Sequence, residues 1–135
     1  MLTLHVQTKR RTELVDVTAD LVEALAQSGL KRGLLTAYVP HTTAGITINE
    51  NADPSVRHDV ETTLDKLVPA DWPYTHLEGN ADAHIKASLM GSSVTIPVEK
   101  GRLQLGTWQG VYFAEFDGPR QRHLWVQVSP GLEQG

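Results

Sequence analysis

Six histidines raise the first question of chemistry in this chain, and their settings differ. His41, His76 and His84 fall at a strand end, in a polar loop and in the first turn of a helix, where an imidazole can face a cleft. Neutral imidazole is the commonest metal ligand, and two or three with an open position suit Zn or another divalent ion. The same rings can serve as proton donors or anion ligands in a polar cleft. Spacing leaves both open, because His76-x7-His84 matches no standard metal signature and His41 is remote from it. His5 and His123 read as structural strand residues. His58 falls on the solvent side of a helix.

Four carboxylates stand near the first three histidines. Asp53 and Asp82 are at or beside helix N-termini, where capping and the helix dipole already explain a negative charge. Glu50 and Glu78 have no such explanation and are stronger candidates for metal binding or acid–base work. Thr42 and Thr43 supply hydroxyls, and Asn51 and Asn80 supply amides in the same stretches. Gly106-Thr107-Trp108-Gln109-Gly110 reads as a bulge or tight turn, with Trp108 packed beneath it or presenting a stacking face to a ligand. Arg120 and Arg122 flank a second tight turn. Cations there are usually solvated, although guanidinium groups also grip phosphate bidentately. No Walker loop, dinucleotide fingerprint or nucleophile elbow is present.

The elements that must carry these groups follow from pattern. Leu4, Val6 and Thr8 alternate as a strand, and Glu13–Val17 is expected to return as its hairpin partner. Thr18 is expected to cap a helix over 19–28 that Gly29 stops. Gly33–Val39 reads as a central strand, apolar on both faces, which Pro40 ends. Ala44–Ile48 is the next strand. Asp53-Pro54 starts a helix reaching Leu67, with Val56, Val60, Leu64 and Leu67 on one stripe. Residues 69–80 form a loop with two large aromatics, Trp72 and Tyr74. Asn80 caps a third helix over 81–90, closed by Gly91. Strands follow over 93–98, 102–105, 111–116 and 123–128. This order predicts one mainly antiparallel α+β domain over residues 1–135.

Composition narrows the function classes. A chain of 135 residues with 40% hydrophobic content suits one soluble globular domain with a single core. Its net charge of −4 gives no basic field for nucleic acid. The absence of cysteine excludes disulfides, thiolate metal sites and Cys nucleophiles. No apolar run approaches the ~20 residues that span a bilayer, and the start lacks a secretory pattern, so a cytoplasmic protein is expected.

Three ordered blocks then carry a resemblance over nearly the whole chain. The stretch from His41-Thr42-Thr43-Ala44-Gly45 through Asn49-Glu50-Asn51-Ala52-Asp53-Pro54, the stretch His76-Leu77-Glu78-Gly79-Asn80-Ala81-Asp82-Ala83-His84, and Gly106-Thr107-Trp108-Gln109 resemble the YjbQ family, also called the secondary thiamine-phosphate synthase enzyme family. The resemblance implies a compact α+β fold, a homotrimer, and a cleft holding His41, His76 and His84 with Glu50, Asn51, Asp53, Glu78, Asn80 and Asp82 around them. It further implies the joining of an aminopyrimidine diphosphate to a thiazole phosphate with release of pyrophosphate. That reaction needs a divalent cation (Zn or Mg) or Arg groups for the leaving charge. On this reading His41, Glu50, Asp53 and Asp82 are the catalytic candidates. His41, His76, His84 and Glu78 are the metal candidates, and Thr42, Thr43, Asn51, Asn80, Trp108 and Arg120 hold the small phosphorylated substrate. A metal-dependent phosphate-ester hydrolase and a non-catalytic ligand-binding trimer are the alternatives.

Overall fold

The computed structural model describes residues 1–132; Glu133, Gln134 and Gly135, the end of the expected domain, lie outside the described residues. The strands are β1 (Leu2–Gln7), β2 (Glu13–Asp16), β3 (Gly33–Tyr38), β4 (Ala44–Glu50), β5 (Ser93–Glu99), β6 (Arg102–Leu103), β7 (Gln109–Glu115) and β8 (Gln121–Pro130). The helices are α1 (Thr18–Ser28), α2 (Pro54–Leu67) and α3 (Ala81–Met90). A five-stranded sheet runs β1-β8-β3-β5-β6 and a three-stranded sheet runs β2-β7-β4, with every pairing antiparallel. The expected α+β class is therefore the observed one.

Apolar alternation explains the layering. Leu35, Ala37, Ile96, Leu124 and Val126 on the larger sheet meet Ile46, Val111 and Phe113 on the smaller one, and α1 adds Leu21 and Leu25 to this core. The other face of the small sheet, with Leu14, Tyr112, Ala114 and Phe116, is covered by Ala83 and Ala87 of α3, while Val60 and Leu64 of α2 pack at its margin.

Local chemistry sets the helix ends. The Asp53 side chain accepts from the Ser55 N–H at 2.9 Å and Pro54 opens α2, as the sequence predicts. Gly29 and Gly91 end α1 and α3 with positive φ. Thr18 is not the cap of α1: it is the first helical residue, and its N–H donates to Asp16 Oδ1 at 2.9 Å.

Two expectations are corrected. β1 and β2 do not form a hairpin with each other, since β1 pairs with β8 and β2 crosses to β7 in the other sheet. β3 is central but buried on one face only, because the apolar Leu34 and Tyr38 point outward and stay 45% and 44% exposed. The α2 stripe is similarly shallow: none of its residues is buried, and Leu67 is exposed.

Candidate functional site

The site forms where β3 stops. Pro40 ends the strand, and the His41 side chain takes the place of the next ladder partner: its Nε2 accepts the His123 backbone N–H at 2.9 Å. A neutral imidazole that accepts at Nε2 carries its proton on Nδ1. Burial first, then the positive charge of Arg122, holds the His41 pKa below its ordinary value, which favours this neutral form.

Two hollows adjoin at His41. One, of about 400 Å³, is lined by His41, Thr42, Ala44, His84, Ser88 and Ser92 among others. The second, of about 630 Å³, shares His41, Thr42 and Ser92 and adds Tyr38, Arg122 and Trp125. Neither lining contains a carboxylate. In a chain of net charge −4, this leaves a pocket of hydroxyls, imidazoles and one guanidinium, a set suited to anionic oxygens.

A close seam between α3 and β4 holds the two histidine-bearing segments together. The Ile46 N–H donates to the Gly91 carbonyl at 3.0 Å. A Cβ on Gly45 would lie 2.7 Å from that same oxygen, so glycine permits the contact. His84, in the first turn of α3, and Ser88, in its last, thereby line the same hollow as His41.

Beneath the hollows lies a buried ion pair. Arg122 is 5% exposed and Glu115 is fully buried. The Arg122 Nε donates to Glu115 Oε1 at 2.8 Å, and its NH2 nitrogen donates to Glu115 Oε2 and to Thr43 Oγ1, the latter at 2.8 Å. Thr8 Oγ1 donates to Glu115 Oε1 at 2.7 Å, and the Phe116 and Asp117 N–H groups donate to Oε2. Burial pushes the Glu115 pKa up, but the hydrogen bonds from Arg122, Thr8 and the Asp117 backbone outweigh it and keep the group low.

The predicted residues are partly gathered and partly dispersed. His41 and His84 share the smaller hollow with Thr42, while Thr43 is committed to Arg122 beneath it. His76 stands at the rim, its ring meeting that of His84 edge to face at 5.2 Å, and Glu78 Oε2 lies 3.6 Å from His76 Nε2. The expected three-histidine metal set does not form within the chain. Among the described residues no three His, Asp or Glu side chains converge on one point. His41 moreover has one nitrogen accepting a hydrogen bond and the other protonated, so it holds no free lone pair for a metal.

Glu50, Asn51, Asp53 and Trp108 lie at the opposite end of β4, about 20 Å from His41 at ~3.3 Å per strand residue. There the Asn51 N–H donates to the Trp108 carbonyl at 3.0 Å and Asn51 Nδ2 to Asp16 Oδ2 at 3.2 Å. Asp53 is spent on its cap. Asp82 is fully buried, and both its oxygens accept from Arg11, at 3.0 and 3.1 Å, which leaves no room for the expected catalytic role. Asn80 Nδ2 donates to Asp117 Oδ2 at 2.9 Å, and Arg120 is exposed and tied to Asp117 at 2.8 and 3.1 Å. Neither Asn80 nor Arg120 lines the hollows around His41.

Glu115, Ser88 and Ser92 are not singled out by the sequence, and Arg122, weighed there beside Arg120, reads from the sequence as a solvated turn cation. A signal existed for Arg122: it shares the strand parity of Leu124 and Val126, so β8 must turn it toward the core. A buried guanidinium there demands a buried carboxylate, which Glu115 supplies.

The chain is a two-sheet α+β sandwich with a histidine just past the end of its central strand β3 and a buried arginine on the neighbouring β8. The chain belongs to the family described as UPF0047 protein YjbQ-like, which it matches over residues 2–131. It is 57% identical over 124 residues to a UPF0047 protein of Methanocaldococcus jannaschii, covering 92% of this chain and 90% of that one. It is 47% identical over 129 residues to UPF0047 protein YugU of Bacillus subtilis, covering 93% and 96%. Among solved structures, an uncharacterized conserved YjbQ/UPF0047-family protein from Clostridium acetobutylicum superposes with a TM-score of 0.94 at 50% identity, covering 96% of this chain and 100% of that one. A hypothetical protein from Aeropyrum pernix K1 gives 0.91 at 40%, covering 96% and 97%.

Proposed function

We propose that the chain is a small transferase for phosphorylated substrates, with a thiamine-phosphate-synthase-like reaction. In that reaction the thiazole nitrogen forms a bond to the methylene carbon of an aminopyrimidine diphosphate. The bond from that carbon to the diphosphate oxygen breaks, and pyrophosphate leaves with the electron pair. The observation that carries the reading is the carboxylate-free pair of hollows around a neutral His41 in an acidic chain. A region free of carboxylates, in which donors are fixed in advance, favours the anionic oxygens of two phosphorylated reactants. The choice of this particular reaction rests on the sequence resemblance.

In this reading His84 and His41 donate to phosphate oxygens, and Ser88, Ser92 and Thr42 add hydroxyls. Among the described residues no three His, Asp or Glu side chains converge within one protomer, and His41 keeps its Nε2 on the His123 N–H. A divalent cation enters instead with the diphosphate, as part of the substrate. The working form is a cytoplasmic homotrimer. Its support is the outer face of the large sheet, where Thr36, Tyr38, Thr95, Trp125 and Gln127 stand in register without a charge among them. Among the described residues no helix is long and apolar enough to cross a membrane.

The test is product formation from the two precursors, read by mass spectrometry. His84→Ala should cut thiamine-phosphate formation at least tenfold with the fold intact, while His58→Ala, on the exposed side of α2, should leave it unchanged. Equal activities in the two variants, or release of inorganic phosphate from a simple ester in place of the coupled product, would contradict the transferase reading.

A further inference from the structure

We infer that Arg122 is the anchor for a phosphate group in the larger hollow beside His41, a binding site for a phosphate monoester or diphosphate end. The inference rests on the reading that the substrate is phosphorylated, and it names the residue that holds the anion.

The argument begins with the valence of the guanidinium. Its Nε and NH2 nitrogens are taken by Glu115 and Thr43, and NH1 has no hydrogen-bond partner among the described residues. Arginine cannot shed its charge, so two N–H donors of a cation remain unused. They are not sealed in: among the described residues the one buried side-chain polar atom without a partner is Asn80 Oδ1. Arg122 is 5% exposed and lines the hollow, so this donor pair is aimed at a restricted space rather than at bulk water.

Rigidity is the second part. Glu115 is itself held by Thr8 and two backbone N–H groups, so the fork of Arg122 is fixed before any ligand arrives. Thr42, Ser92 and His41 line the same hollow and can supply the further donors a phosphate takes. No carboxylate lines it to repel the anion. Arg122 also borders a smaller hollow of about 270 Å³ with His5, Val6, Gln7 and Gln121. That hollow has no hydroxyl to add to Arg122, whereas Thr42 and Ser92 line the larger one, so the His41 side is the side assigned to the anion.

The experiment uses the full chain. Inorganic phosphate and pyrophosphate are titrated into 15N-labelled protein at constant ionic strength, and the backbone amides are followed by NMR. The Thr42, Ser92 and His123 amides should shift saturably, while those of Gln7 and Gln121 stay put. Arg122→Lys should weaken binding at least tenfold, because a point charge cannot serve Glu115 and the hollow together. Arg120→Ala, which removes the exposed arginine, should change it less than twofold. Should Arg122→Lys fail to fold, Thr42→Val with Ser92→Ala takes its place and should weaken binding at least threefold.

Saturable shifts centred on Gln7 and Gln121 would overturn the assignment. So would undiminished binding in a folded Arg122→Lys protein or in the double variant, loss of binding in Arg120→Ala, or no saturable shift at all. Phosphate binding at Arg122 without coupled product would leave the anchor standing and remove only the transferase reading; coupled product without phosphate binding at Arg122 would do the reverse.

Discussion

Arg122 and Glu115 show how one residue can be both structural and available. The pair is buried, and removing one partner strands the other's charge in the core. Such losses cost about 3–5 kcal/mol. Glu115→Ala should therefore lower the unfolding free energy by about that much, measured by urea denaturation. The same carboxylate makes stability depend on pH, together with Asp82, whose pKa burial raises but Arg11 and Lys86 lower further. Both groups are depressed in the folded state. Their contribution is then fully present above the unfolded-state value and is lost as pH falls through the folded one. The urea midpoint should hold level from pH 7 to about 5.5 and drop below about 4.5; a midpoint that rises on acidification would contradict this. At this scale the sequence is partly legible. Residue type and setting single out His41 and His84, which share one hollow, whereas the burial of Arg122 and Asp82 is hidden, because turn and helix-cap positions look exposed until the partner strand or helix is known.

The elements came through more faithfully than their partnerships. α2 spans Pro54–Leu67 and α3 spans Ala81–Met90 as the sequence predicts, because capping residues, proline and glycine are local signals. The partners of β1 and β2 are nonlocal, and the five charged or polar residues between those strands look like a hairpin turn while in fact carrying the chain between sheets. The separation of His41 from Glu50 follows from a similar cause. Neighbours in sequence become opposite ends of an extended strand. The α3–β4 seam at Gly45 brings His84 to His41 instead. Gly45→Ala would push a methyl to 2.7 Å from the Gly91 oxygen, with Met90 Cβ at 3.1 Å. It should cost about 1–3 kcal/mol. It should also weaken phosphate binding by shifting α3. Wild-type stability and binding in this variant would show that the seam does not position the site.

For the molecule as a whole, the uncharged patch of Thr36, Tyr38, Thr95, Trp125 and Gln127 on the outer face of the large sheet is the feature that calls for a partner. Leu34 and Tyr38 remain 45% and 44% exposed there, with Tyr38 stacked on Trp125 at 5.9 Å. A second copy of the chain covering this face would bury them and seal the margin of the larger hollow. Thr36→Arg, at the middle of that face, should convert a trimer to monomer by light scattering with little change in the circular dichroism of the fold. A wild-type protein that is monomeric at micromolar concentration would remove the trimer from the account. The claim on which the rest depends is that the hollows around His41 receive the phosphorylated substrate. A crystal structure of the protein with pyrophosphate tests it directly: the account predicts the ligand within hydrogen-bond distance of Arg122 and of Thr42 or Ser92. Pyrophosphate found instead beside Asn51 and Trp108 at the far end of β4 would contradict it.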